Sequence, residues 1–127
     1  MSSRLGSVFQ VAVLALAACH APIATQIPPQ DPADEISIRV VNRNRLDVMV
    51  YVAHDGARTR LGLAIASATT DFSLPLKVLG AGKEYRLVGD PIGIRMNVTT
   101  ETLHAQPGDE VTWSLEDSFA RSTVVFR

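Results

Sequence analysis

Beyond residue 35, apolar and polar residues alternate with a period of two almost everywhere. Ile36, Ile38 and Val40 alternate with Ser37, Arg39 and Val41, and Leu46, Val48, Val50 and Val52 with Asp47, Met49 and Tyr51. Val111, Trp113 and Leu115 alternate with Thr112, Ser114 and Glu116. This pattern predicts half-buried antiparallel strands, and the β-branched and aromatic content of the runs agrees with it. Turn residues separate the runs: Asn42-Arg43-Asn44, Asp55-Gly56, Gly80-Ala81-Gly82, Asp90-Pro91-Ile92-Gly93 and Pro107-Gly108. These supply the fixed or positive φ that tight turns need. Strands are therefore expected near 36–42, 46–53, 58–66, 69–75, 83–89, 94–104, 109–116 and 122–127. No helical stripe interrupts them.

The Asp55-Gly56 pair predicts a two-residue hairpin turn. In that register Val50 faces Leu61, Val48 faces Leu63 and Leu46 faces Ile65, an apolar face. Tyr51 then faces Arg60, Met49 faces Gly62 and Asp47 faces Ala64 on the other. Ile94, Met96 and Val98 share a parity that Leu103 lacks, so a bulge near Thr99-Thr100 or a change of sheet is expected. Seven to eight short strands without helices need a second layer to bury their apolar faces. The predicted fold is thus an all-β, two-sheet antiparallel sandwich, with Trp113 in its core. By strand count it resembles immunoglobulin-like or transthyretin-like sandwiches, although the Cys–Trp–Cys signature of immunoglobulin domains is absent.

The N-terminal segment has another character. An eleven-residue apolar run, Val8 to Ala18, follows Arg4 and ends in Leu16-Ala17-Ala18-Cys19, which contains the chain's single cysteine. The run is shorter than the roughly 20 residues that cross a bilayer core, and its flanks are those of a signal peptide. The four-residue ending resembles the lipobox of bacterial lipoproteins. A plain secretory signal followed by chance by cysteine is the alternative. The resemblance implies cleavage before Cys19, acylation of Cys19 and anchorage in a lipid bilayer, where two or more chains hold firmly. His20, where inner-membrane lipoproteins of many two-membrane bacteria carry Asp, implies sorting to the outer membrane. Residues 20–35 (HAPIATQIPPQDPADE) hold four prolines and three acids and read as an extended tether reaching about 50 Å. The expected organisation is a signal peptide at 1–18, the lipidated cysteine and tether at 19–35, and one sandwich domain at 36–127.

Composition narrows the function further. After cleavage, eleven basic side chains face thirteen acidic ones, a balance that argues against nucleic acid as a partner. With Cys19 lipidated, the domain has neither a disulfide nor a free thiol. His20, His54 and His104 have no metal-ligand spacing, and HExxH and cysteine pairs do not occur. No serine lies in a GxSxG elbow, and the glycines lack a phosphate-loop context. No cofactor is expected.

The remaining candidate is a surface. Met49, Tyr51, Arg58 and Arg60 fall together on the outward side of the predicted hairpin, and they are residue types enriched at interfaces. Tyr51 on Arg60 serves either to anchor a partner or as an internal cation–π pair contributing about 0.5–1 kcal/mol. Phe119, within Glu116 to Arg121, is expected to close one end of the sandwich. The function expected is that of a non-enzymatic envelope lipoprotein acting by contact with an unknown envelope protein. The competing expectation is a small hydrolytic or metal-dependent enzyme using His54, Asp55 or His104.

Overall fold

A computed structural model describes residues 31–127. Cys19, the apolar run and most of the tether lie outside the described residues. A 3-10 turn at Pro32–Asp34 leads into nine strands. These are β1 (Glu35–Asn42), β2 (Val48–His54), β3 (Ala57–Ala64), β4 (Ala68–Pro75), β5 (Glu84–Pro91), β6 (Val98–Thr99), β7 (Leu103–His104), β8 (Glu110–Leu115) and β9 (Thr123–Phe126). They form two sheets, one ordered β4-β1-β8-β9 and the other β3-β2-β5-β6, with β7 also paired to β5. The all-β, two-layer architecture is the one the alternation predicts. Among the described residues no helix is long and apolar enough to cross a membrane.

The inward parity of each run builds the core. Ile36, Ile38 and Val40 of β1, Val48, Val50 and Val52 of β2, and Val111, Trp113 and Leu115 of β8 are all buried. Burying a side chain of this size contributes about 1.5–3 kcal/mol. Trp113 reaches across the layers to Gly89 of β5. A Cβ at Gly89 would stand 3.1 Å from Trp113 Cη2 and 2.9 Å from Val48 Cγ1. Glycine makes the room that the indole fills. Phe119 closes one end, 7% exposed within the core cluster.

Three sequence expectations need correction. First, the sheets are not wholly antiparallel: β1 pairs parallel with β8, Ser37 to Glu110 through Asn42 to Leu115. Parallel neighbours need a long crossover, and the whole second sheet intervenes in the chain between them. Second, the hairpin keeps the expected register only near its tip, from His54↔Ala57 to Tyr51↔Arg60. Beyond Val50/Tyr51 a bulge shifts it, pairing Val50 with Gly62, Met49 with Leu63 and Val48 with Ala64. Phe72 of β4 dictates this. Gly62 has φ +153, and a Cβ there would sit 2.9 Å from Phe72 Cε1, so the chain bulges where the ring lies against bare backbone. Ala64 becomes core, Leu63 turns outward and Ile65 is 48% exposed.

Third, 94–104 is not one strand. Residues 94–97 form part of a loop in which Ile94 and Met96 are exposed. The expected phase reset does occur, between Gly89↔Val98 and Val88↔Thr99 on one side and Tyr85↔Leu103 and Glu84↔His104 on the other. At the slip the Thr100 hydroxyl accepts the Leu87 N–H at 3.0 Å. A side chain thus takes a place in the ladder, and Val98 and Leu103 are both buried despite opposite parity.

The chain direction defines two poles. Glu35 pairs with Pro75 at the start of β1. Asn42, at its other end, donates through Nδ2 to the carbonyls of Leu46 (2.9 Å) and Ala64 (3.1 Å), binding the start of β2 to that far pole. Strand β2 then runs back, so the Asp55-Gly56 tip lies at the N-terminal pole. Both turn residues have positive φ, 47 and 72, as the type I′ turn requires.

Candidate functional site

The outward parity of β2 places Met49, Tyr51 and Ala53 on the outer face of the five-stranded sheet, opposite Val48, Val50 and Val52. Pairing brings β3 and β5 residues beside them. Ala53 lies between Arg58 and Arg86, Tyr51 between Arg60 and Val88, and Met49 between Leu63 and Asp90. Arg58 and Arg60 are exposed and Met49 and Tyr51 half-buried, so the β3 side of this face is open to solvent.

The four residues expected to cluster here do so, with different contacts. Tyr51 is the register partner of Arg60, yet the guanidinium over its ring is that of Arg58, with Cζ 5.2 Å from the centroid. Arg60 instead directs Nε at Met49 Sδ, 3.1 Å away. The diagonal contact follows from reach, since neighbours two residues along the opposite strand remain accessible to long side chains. A third arginine, Arg86 on β5, donates through Nε to Thr102 Oγ1 at 3.0 Å.

At the N-terminal pole this face deepens into an open cavity of about 390 Å³, floored by Ala53 and walled by Arg58, Arg86, Thr102, Asp55 and Glu84 among others. His54 also lines it. The His54 Nε2 lies 3.3 Å from Thr59 Oγ1, and its Nδ1 is buried without a partner. His104 approaches Glu84, Nδ1 to Oε1 3.7 Å, on the exposed side of β7. Glu84 thus connects the surroundings of both histidines. Among the described residues, however, no three His, Cys, Asp or Glu side chains gather as metal ligands would.

Tyr85 also lines the cavity. It is 1% exposed, and its hydroxyl has no partner. Burial, with the nearby Asp109 carboxylate, pushes its phenol up to about 12.

Glu84, Arg86 and Thr102 escaped the sequence reading because they join the face only through the β2–β5 and β5–β7 pairings; Ala53 shares the parity of Met49 and Tyr51 but carries no chemistry of its own. The available signal was local: Arg86 has the outward parity of its own strand. Nothing local says which strand lies beside it.

No protein-family model matches the chain. No curated protein matches it. Among solved structures it is similar to the NMR structure of a protein from Eubacterium rectale, with 21% sequence identity and a TM-score of 0.46. That likeness covers 76% of this chain and 91% of the other.

Proposed function

We propose that this chain is a lipid-anchored envelope protein whose β-sandwich acts as a non-enzymatic binding module through the outer face of its five-stranded sheet. The observation supporting the binding role is the gathering of Met49, Tyr51, Arg58 and Arg60 on one face, with each guanidinium held by a ring or a thioether and not by a carboxylate. Such groups are oriented yet not neutralised by a carboxylate among the described residues. An aromatic ring, a thioether and planar fork donors together suit a protein partner. Support for the anchor is the Leu16-Ala17-Ala18-Cys19 segment after an apolar run. An outer-membrane address rests on His20, and an immunoglobulin-like or transthyretin-like affiliation on strand count.

Two measurements test this reading. Mass spectrometry of the native protein is expected to find Cys19 as the first residue carrying acyl chains, and an unmodified Met1 refutes the anchor. Affinity capture from detergent-solubilised envelopes is expected to recover a defined partner with the wild type and lose it with Tyr51→Ala combined with Arg60→Ala. Circular dichroism of the variant must match the wild type. Equal capture by both proteins refutes the face.

A further inference from the structure

Three guanidiniums on the outer face are fixed by neutral groups: Arg58 by the Tyr51 ring, Arg60 by Met49 Sδ and Arg86 by Thr102 Oγ1. Among the described residues none of the three is seen in an ion pair of the kind that Arg39–Asp71, Arg43–Glu116 and His104–Glu84 make. Arg58 and Arg86 flank Ala53 on the two neighbouring strands, so their Cα atoms stand about 9–10 Å apart, two interstrand spacings. Arg58 is drawn along β2 toward Tyr51 and Arg86 across toward Thr102. The methyl of Ala53 leaves open the floor between them, and the cavity lies there.

The pole side of the same cavity is acidic. Asp55 and Glu84 line it, and Glu84 precedes Arg86 by two residues on one strand, about 7 Å. The cavity is therefore dipolar, with cations toward the sheet and carboxylates toward the pole. A dianion would meet Asp55 and Glu84, and a diamine would meet the two arginines. A ligand with a carboxylate at one end and an ammonium at the other suits both walls. An extended peptide spans about 3.3–3.6 Å per residue, so two residues match the backbone spacing of Glu84 and Arg86. The volume lies in the range of small-ligand sites.

We propose that this cavity binds a short zwitterionic peptide, its carboxylate over Ala53 between Arg58 and Arg86 and its ammonium against Asp55 and Glu84. This rests on the reading of the outer face as a binding surface and names the chemistry it takes. Forked guanidinium donors favour a carboxylate geometrically as well as by charge.

The test is an NMR titration of the full chain in detergent micelles with L-alanyl-L-alanine. The Ala53, Arg58 and Arg86 signals are expected to shift saturably. N-acetyl-alanyl-alanine and alanyl-alanine amide, each lacking one charge, are expected to bind at least roughly tenfold more weakly, a loss of about 1.4 kcal/mol. Arg86→Gln is expected to abolish the shifts. Ala53→Leu, which fills the floor without changing charge, is expected to do the same while the rest of the spectrum stays in place. Absence of saturable shifts at millimolar peptide, or equal binding of the capped peptides, overturns the proposal. If the dipeptide does not bind but Tyr51→Ala with Arg60→Ala still loses the captured partner, the cavity assignment falls and the broader surface stands. A saturable dipeptide with unaltered capture has the opposite meaning.

Discussion

Replacing Tyr85 by Phe tests whether the N-terminal end of the core is dry. The residue is 1% exposed and its hydroxyl has no partner among the described residues. Burying such a hydroxyl costs about 1–3 kcal/mol against its hydration in the unfolded chain. Phe keeps the ring and gives up the packing of one oxygen atom, so Tyr85→Phe is expected to stabilise the fold by about 1 kcal/mol. In a domain of this size that raises the melting temperature by about 4–8 °C. Alkaline pH gives a second readout. The folded phenol sits at about 12, against about 10 in the unfolded chain. The unfolded chain therefore releases this proton first. Tyr85's contribution is complete below about pH 10, is lost as the pH rises toward 12, and the loss is bounded by about 3 kcal/mol. Urea denaturation of both proteins near neutrality and in steps between about pH 9 and 11.5 measures both effects. The advantage of Tyr85→Phe is expected to widen with pH, since Tyr51 is common to both proteins. A variant weaker than wild type by more than about 1 kcal/mol near neutrality, or two parallel alkaline curves, refutes the reasoning.

Other substitutions probe the packing and the crossover. Gly89→Ala drives a methyl into Val48 and Trp113 and is expected to cost about 1–3 kcal/mol, with part recovered by adding Trp113→Phe; thermal melts of the single and double variants measure the coupling. Asn42→Ala strips the Leu46 and Ala64 carbonyls of their donor and the Asn44 N–H of its acceptor. About 2–3 kcal/mol is the expected loss in urea denaturation. Asp71→Asn breaks the Arg39 pair, 2.7 Å long but with both side chains exposed, and is expected to leave the melting temperature unchanged within error, because solvent screens such pairs.

Local regularity made most of the fold legible. Alternation located eight strand regions, and the parity of Trp113 placed it in the core, because both are properties of consecutive residues. The hairpin register failed where a distant residue decided it. Nothing within 46–66 announces that the Phe72 ring will occupy the space at Gly62, and that contact moves Leu63 to the outer face. The phase reset near Thr99-Thr100 was visible as a parity conflict between Val98 and Leu103. Its means, a threonine hydroxyl standing in the ladder, was not. The parallel β1–β8 pair was also illegible, because alternation reports which face a residue turns to and not which strand lies beside it. The same limit hid half of the candidate site: Met49, Tyr51, Arg58 and Arg60 share one hairpin, whereas Arg86 and Glu84 arrive through β5, which begins twenty residues after the hairpin ends.

The two sheets stand differently toward a pull on the chain. The chain enters through Glu35 into β1, an interior strand of the four-stranded sheet, paired over eight positions to β4 and six to β8. A pull on the residues ahead of Glu35 acts along β1 and loads both ladders in shear, so many hydrogen bonds must yield together. Peeling an edge strand would break them one at a time. The arginine-bearing face lies on the other sheet, across a core about 10 Å thick, and its floor strand β2 pairs with β3 and β5 and not with β1. Tension at the N-terminus therefore loads β4 and β8 first, and reaches the second sheet through the Asn42 bonds to Leu46 and Ala64 and the packing of Phe72 against Gly62. That order of loading suits the binding role proposed above, because the ladders of the first sheet take up strain before the face that carries Arg58 and Arg86.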